Sequence, residues 1–281
     1  MTEVIRDVAT LRMLQGTWRR AGESIGLVPT MGALHAGHMA LVQAAREECA
    51  HVIATVFVNP TQFSPSEDLD AYPDVFDADL QLLRDNRVDV CFAPTRDIMY
   101  PDGFATTVRV SGLTDHLCGA TRPGHFDGVT QVVAKLLNLG AADRAYFGQK
   151  DWQQLAVVRQ MARDLNFPTE IVGVPTVRAA DGLALSSRNV YLTEAEREIA
   201  PVLNRTLRNA AAQIARGHGA AGVCEASARA LIEAGFSSVD YLECRDAQTL
   251  AAQERPNPGT ARVFAAAKLG KARLIDNVAV G

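Results

Sequence analysis

Short runs rich in β-branched and aromatic residues alternate, over the first 177 positions, with longer stretches whose apolar residues recur three and four apart. That rhythm constrains the fold more than any other feature of the chain. The β-rich runs are residues 25–29, 52–58, 88–92, 144–147 and 171–174, and the helical stretches are 36–49, 72–86, 126–139 and 151–165. Val129, Val132, Val133 and Leu136 show the helical spacing. A crossover between parallel strands needs a dozen or more residues, and each helix supplies them.

The pattern predicts an α/β fold: a Rossmann-like doubly wound parallel sheet over residues 1–177, with ligands beyond the carboxyl ends of its strands. After Val177 the texture changes. An alanine-rich helical stretch fills residues 193–234, and strands are predicted near 239–244, 262–267 and 273–276. Residues 178–281 therefore read as a smaller C-terminal α+β domain. Thr193 with Glu196 makes a capping box for its first helix, and Pro201 kinks that helix or starts another.

Composition removes several classes of function. With 48% hydrophobic and 21% charged residues the chain is ordinary globular material, and 28 basic against 32 acidic residues leave no stripe that could track a nucleic-acid backbone. Five scattered cysteines without Cys-x-x-Cys spacing speak against a disulfide framework or a thiolate zinc site, and read as buried reduced thiols. Glu3, Arg6 and Asp7 break any apolar signal core, and the longest near-apolar run, 52–58, cannot cross a bilayer. A cytoplasmic protein is expected, with no nucleic-acid or membrane partner.

The first chemical signal follows the run 25–29: Thr30-Met31-Gly32-Ala33-Leu34-His35-Ala36-Gly37-His38, with helical spacing beginning at once in Leu41, Val42 and Ala45. Unpaired N–H groups and the positive end of the helix dipole meet at such a junction, which suits phosphate. His35 and His38, three apart, project to one side and can both donate to one triphosphate. The other readings of two such histidines are a structural pair at a loop or half of a metal site, and no third His or Cys lies at ligand spacing to favour metal.

A second strand-to-helix junction carries Gly148-Gln149-Lys150-Asp151-Trp152-Gln153-Gln154. Lys150 there can neutralise a phosphate oxygen, and Asp151 either accepts from ribose hydroxyls or caps the helix. A third segment, Leu185-Ser186-Ser187-Arg188-Asn189, reads as a polar linker or as a phosphate clamp of hydroxyls and a guanidinium.

Strand, Gly-bearing turn, His-x-Gly-His and helix in that order resemble the nucleotidylyl-transferase superfamily. The three segments together resemble the pantothenate synthetase family, and the likeness continues through Phe57-Val58-Asn59-Pro60-Thr61-Gln62-Phe63, Asp68-Leu69-Asp70-Ala71-Tyr72-Pro73, Arg122-Pro123-Gly124-His125-Phe126 and Tyr241-Leu242-Glu243. The family usually has Glu at Gln149 and Met at Thr61 and Leu185, departures that bear on the nucleotide and carboxylate-substrate pockets.

The resemblance implies a homodimeric, ATP- and magnesium-dependent ligase that condenses pantoate with β-alanine through a pantoyl-adenylate. It implies ATP contacts from Met31, Gly32, Ala33, Leu34, His35, Gly37, His38, Gly148, Gln149, Lys150, Asp151, Val177, Leu185, Ser186, Ser187 and Arg188, with His38 as the match to the family's proton donor. Gln62 and Gln154 match its pantoate-binding glutamines, with Asn59 beside them; Arg122 and His125 are candidates for the amine substrate. Magnesium is expected on phosphate oxygens and water, helped by Asp77 or Asp79. Residues 63–71 are expected to cover the pocket, since water must be kept from an acyl-adenylate. A nucleotidylyltransferase would keep the nucleotide in its product, and a sensor would need fewer charged groups than this chain carries.

Overall fold

The computed structural model describes residues 2–63 and 75–281. The chain runs β1 (Glu3–Ile5), α1 (Val8–Arg20), β2 (Ile25–Val28), α2 (Ala36–Glu48), β3 (His51–Thr55), α3 (Phe76–Asp85), β4 (Val90–Phe92) and α4 (Arg96–Met99). It continues through α5 (Cys118–Thr121), α6 (His125–Gly140), β5 (Arg144–Gly148), α7 (Trp152–Asp164) and β6 (Glu170–Val174). The remainder is α8 (Glu194–Ile199), α9 (Val202–Ala215), α10 (Ala220–Glu233), β7 (Ser238–Asp246), β8 (Ala261–Leu269) and β9 (Ala272–Ala279). Two compact units result: Met1–Ser111, Arg122–Gln149 and Gln154–Pro175 form the first, and Gly112–Thr121, Lys150–Gln153 and Thr176–Gly281 the second.

The first unit is built on a six-stranded sheet of order β1-β4-β3-β2-β5-β6, parallel at every pairing. From β2 the sheet grows one way through β3 and β4 and the other way through β5 and β6. The carboxyl end of β2 thus lies at the reversal of strand order, where doubly wound sheets hold ligands. Every residue of β2 and β4 is buried, as expected of strands covered on both faces.

The sequence reading found β2 to β6 but took all five as central, whereas β6 lies at an edge of the sheet and is only partly buried; it overlooked β1 and α1. β1 is three residues long. The buried stripe of α1 is Leu11, Gln15 and Trp18, and its middle member is polar, so the apolar period is broken. Gln15 belongs there because its amide donates to the carbonyls of Leu139 and Gly140. The predicted helix 72–86 is observed from Phe76, its first residues lying outside the described ones, and the proposed cover over 63–71 falls outside them beyond Phe63.

In the second unit β7, β8 and β9 form an antiparallel sheet, with α9 packed on β8 and β9 and α10 on β7. Leu207, Leu231, Val263, Ala265 and Ala267 are fully buried in its core. The capping box is present: Thr193 Oγ1 accepts from the Glu196 N–H while the Glu196 carboxylate accepts from the Thr193 N–H. Pro201 starts α9, where a missing N–H is harmless.

Among the described residues no helix is long and apolar enough to cross a membrane. All five cysteines are free thiols. Burial pushes Cys91 and Cys244 up to about 11 and Cys224 up to about 12, which keeps them protonated and unreactive. In a native thiol titration at pH 8 these three should stay silent and should react once denaturant is added; labelling of any of them in the folded protein would contradict this packing.

Candidate functional site

The loop between β2 and α2 is held from two sides within the first unit. Thr30 Oγ1 donates to the Thr55 carbonyl at 2.5 Å, and its N–H donates to Thr55 Oγ1 at 3.1 Å. The buried Asp79 of α3 then clamps the turn with both carboxylate oxygens, accepting from the N–H of Ala33 at 2.8 Å and of Leu34 at 2.7 Å. Gly32 and Ala33 both have positive φ, 85° and 49°. At Gly32 a Cβ would stand 2.8 Å from Asp79 Oδ2, so glycine is required both by conformation and by the close approach of the carboxylate.

The two histidines close the first turn of α2. His35 Nδ1 accepts from the Gly37 N–H at 3.1 Å, and His38 Nδ1 accepts from the His35 N–H at 3.3 Å, a capping box made of two imidazoles. A ring nitrogen that accepts carries no proton, so both neutral rings hold theirs on Nε2. Their centroids are 4.1 Å apart at 42°. The pair therefore offers two Nε2–H donors side by side at a helix N-terminus.

Asn59 is buried and its amide is used completely. Nδ2 donates to Gln62 Oε1 at 3.0 Å and to the Gly128 carbonyl at 3.1 Å, while Oδ1 accepts from the hydroxyls of Thr61 at 2.9 Å and Tyr100 at 2.8 Å. Asn59 thus orients Gln62, whose Nε2 reaches Met31 Sδ at 3.0 Å. Burial raises the Tyr100 phenol, so that hydroxyl stays a donor. The turn of residues 60–62 lies against α6 at Gly128, where a Cβ would come 2.3 Å from the Thr61 carbonyl oxygen.

His125 Nδ1 lies 2.9 Å from the Gln62 carbonyl, which can only accept, so this nitrogen is the donor and Nε2 accepts from Arg122 Nη1 at 2.9 Å. The two residues proposed for the amine substrate thus form a brace beneath the Gln62 turn. Gln149 donates to the Gly173 carbonyl at 3.1 Å, a bond no glutamate could make, so its departure from the family pattern ties β5 to β6. Gly148 and Gln154 belong to the same unit, both partly exposed.

Lys150, Asp151, Val177, Leu185, Ser186, Ser187 and Arg188 fall in the second unit. Lys150 and Ser186 line one small pocket there, together with Asn189, Asn204 and Asp276. The Lys150 ammonium lies 3.8 Å from the Asp151 carboxylate. Ser186 Oγ accepts from the Arg188 N–H at 3.2 Å and caps a short 3₁₀ turn, Ser187–Tyr191; Leu185 is tied by its N–H to the Val177 carbonyl. Three supports escaped the sequence reading. Trp152 Nε1 donates to the Ala247 carbonyl at 2.7 Å, Gln153 bonds the backbone of Leu113, His116 and Cys118, and Asn277 donates to the Lys150 carbonyl at 2.9 Å. Their distance in sequence hid all three.

Metal is not caged by these side chains: among the described residues no three His, Cys, Asp or Glu groups come together, and both Asp79 oxygens are engaged by backbone N–H groups.

The chain matches the family model described as Pantoate-beta-alanine ligase over residues 3–279. It is 78% identical, over the full length of both chains, to a protein of Dinoroseobacter shibae named pantothenate synthetase. Among solved structures it resembles the pantothenate synthetase of Thermus thermophilus, with TM-score 0.90 and 48% identity over 100% of this chain and 99% of that one. It also resembles the pantoate-beta-alanine ligase of Francisella tularensis complexed with β-γ ATP and β-alanine, with TM-score 0.84 and 34% identity over 99% and 98% of the two chains.

Since His35 Nδ1 caps the helix, His35→Asn, which keeps a capping acceptor, should change stability by under about 0.5 kcal/mol, whereas His35→Ala should cost about 1 kcal/mol. Urea denaturation of the two variants separates them; equal losses would show that Nδ1 does not cap. Asp79→Asn sets an amide donor against a backbone N–H and should cost about 2 kcal/mol in the same measurement.

Proposed function

The chain belongs to the pantoate–β-alanine ligase family, and from that premise we propose how its residues make the amide. The protein is a ligase that joins pantoate to β-alanine. A carboxylate is a poor acyl donor, so ATP activates it: a pantoate carboxylate oxygen attacks the α-phosphorus, the bond to pyrophosphate breaks, and pantoyl-adenylate remains. The neutral β-alanine amine then attacks the acyl carbonyl, AMP leaves, and the nitrogen loses a proton as the amide forms.

Pantoate is already ionised at neutral pH, so the first step needs positioned donors more than a base. The observation that carries this reading is the histidine cap. With both Nδ1 atoms committed to backbone N–H groups, His35 and His38 present Nε2–H donors to phosphate oxygens without a tautomer change during reaction. His38 stabilises the charge that grows on the phosphate chain. Lys150, Ser186, Ser187 and Arg188 add cationic and hydroxyl donors, and Met31, Gly32, Ala33, Leu34, Gly37, Gly148, Gln149, Asp151, Val177 and Leu185 contact the nucleotide largely through backbone groups.

Gln62 and Gln154 bind pantoate, since an amide both donates to and accepts from its hydroxyls. Asn59 acts through Gln62, and His125 with Arg122 supports the turn that carries it. We place magnesium with the nucleotide, on phosphate oxygens and water, because the described residues supply no cage. A homodimer in the cytoplasm completes the reading; five unpaired cysteines fit a reducing compartment.

Protein incubated with magnesium, ATP, pantoate and β-alanine should yield pantothenate, AMP and pyrophosphate in equal amounts by mass spectrometry. ADP or a dinucleotide product would overturn the scheme. His38→Ala should slow pantoate-dependent ATP–pyrophosphate exchange by about 100-fold or more while the protein stays folded.

A further inference from the structure

Two neighbouring residues of β9, Asp276 and Asn277, are almost fully buried at 4% and 2% exposure, and the reaction scheme has no use for them. Adjacent side chains on a strand point to opposite faces of the sheet, so one dipeptide can reach two separate segments. The Asp276 carboxylate is bidentate with Arg178, at 2.6 and 2.8 Å, and also accepts from Asn204 Nδ2 at 2.9 Å. Arg178 opens a hairpin: it bridges to Ala184, its guanidinium donates to the Gly182 carbonyl, and the Leu185 N–H returns to the Val177 carbonyl. The chain leaving that turn delivers Ser186, Ser187 and Arg188.

Asn277 works on the other segment. Its Nδ2 donates to the backbone carbonyl of Lys150 at 2.9 Å, and its Oδ1 accepts from Arg262 Nε at 2.6 Å. The Arg262 guanidinium lies 3.9 Å over the ring of Trp152, two residues beyond Lys150. Each end of the Lys150–Trp152 turn is thereby fixed to the β8–β9 pair.

We propose that Asp276 and Asn277 are positioning residues that hold the Ser186–Arg188 turn and Lys150 in one register, so that hydroxyls, guanidinium and ammonium meet the triphosphate as a single preset surface. The inference rests on the ATP role given to Lys150 and to that turn. A buried carboxylate paired with a guanidinium adds little net stability against an apolar pair of the same shape, yet it fixes direction, because both partners must stay aligned to remain satisfied. The small pocket edged by Lys150, Ser186, Asn204 and Asp276 is where the two arms come together.

The test uses Asn277→Ala, Asn277→Asp and Asp276→Asn in the full-length enzyme, with Lys150→Ala as reference. Asn277→Asp keeps the acceptor that Arg262 uses and removes the donor to Lys150. Melting curves establish the temperature at which each variant is folded, and pantoate-dependent ATP–pyrophosphate exchange is measured there. Because displacing a reacting group by about 1 Å costs up to about 100-fold, both Asn277 variants should lower exchange and raise the KM for ATP about tenfold, leaving the KM for β-alanine unchanged. Asp276→Asn should give the same split. If the Asn277 variants melt lower but keep every kinetic constant while Lys150→Ala abolishes exchange, the residues are structural only and the inference is overturned. If Lys150→Ala itself retains exchange, the ATP role assigned to Lys150 fails first, and the inference falls with it.

Discussion

The first unit's site depends on one interaction, the grip of the Asp79 carboxylate on two successive backbone N–H groups of the loop after β2. That loop must turn sharply from a buried strand into a helix, and it does so through two residues of positive φ. Such a turn leaves N–H groups facing inward, and a buried N–H without a partner costs more than the bond itself contributes. A carboxylate satisfies two of them at once and is itself satisfied by them. The histidine cap follows from the same requirement, since the next N–H groups along the chain, those of His35 and Gly37, are taken by imidazole nitrogens. The chemistry of the rings is thus a by-product of how the helix is capped: accepting at Nδ1 dictates a proton on Nε2.

The same arrangement recurs wherever a side chain with a chemical role is held in place. Gln62 is oriented by the amide of Asn59, and its backbone by His125, which Arg122 holds in turn. In the second unit the Lys150 turn is fixed by Asn277 through a carbonyl, by Trp152 through its indole N–H and by Arg262 through the face of the ring. Burial brings Arg262 down to about 10, still charged at neutral pH. In each case the residue suited to touching substrate stays partly exposed, and a more buried polar partner fixes its direction.

Much of this was legible in sequence because it is local. The central strands are continuous apolar runs, α6 shows its period in Val129, Val132, Val133 and Leu136, and the Thr193–Glu196 box states its own start. His35 and His38 are recognisable because a strand, a glycine turn and a helix surround them within a short stretch of chain. Where a polar residue interrupted the period, as Gln15 does in α1, the signal was lost, although that glutamine is satisfied by carbonyls far along the chain, those of Leu139 and Gly140.

What the sequence by itself determined is the element order, the parallel character of the first sheet and the residue types that can meet a phosphate, since these follow from periodicity and from side-chain chemistry. What only the tertiary structure decided is which polar groups are already engaged. Asp79 and Asn59 read equally well as ligands or as supports until their partners are known, and those partners come from elements distant in the chain. A hydrogen-bonding group has a fixed number of bonds to make, and folding alone determines whether the backbone has already taken them.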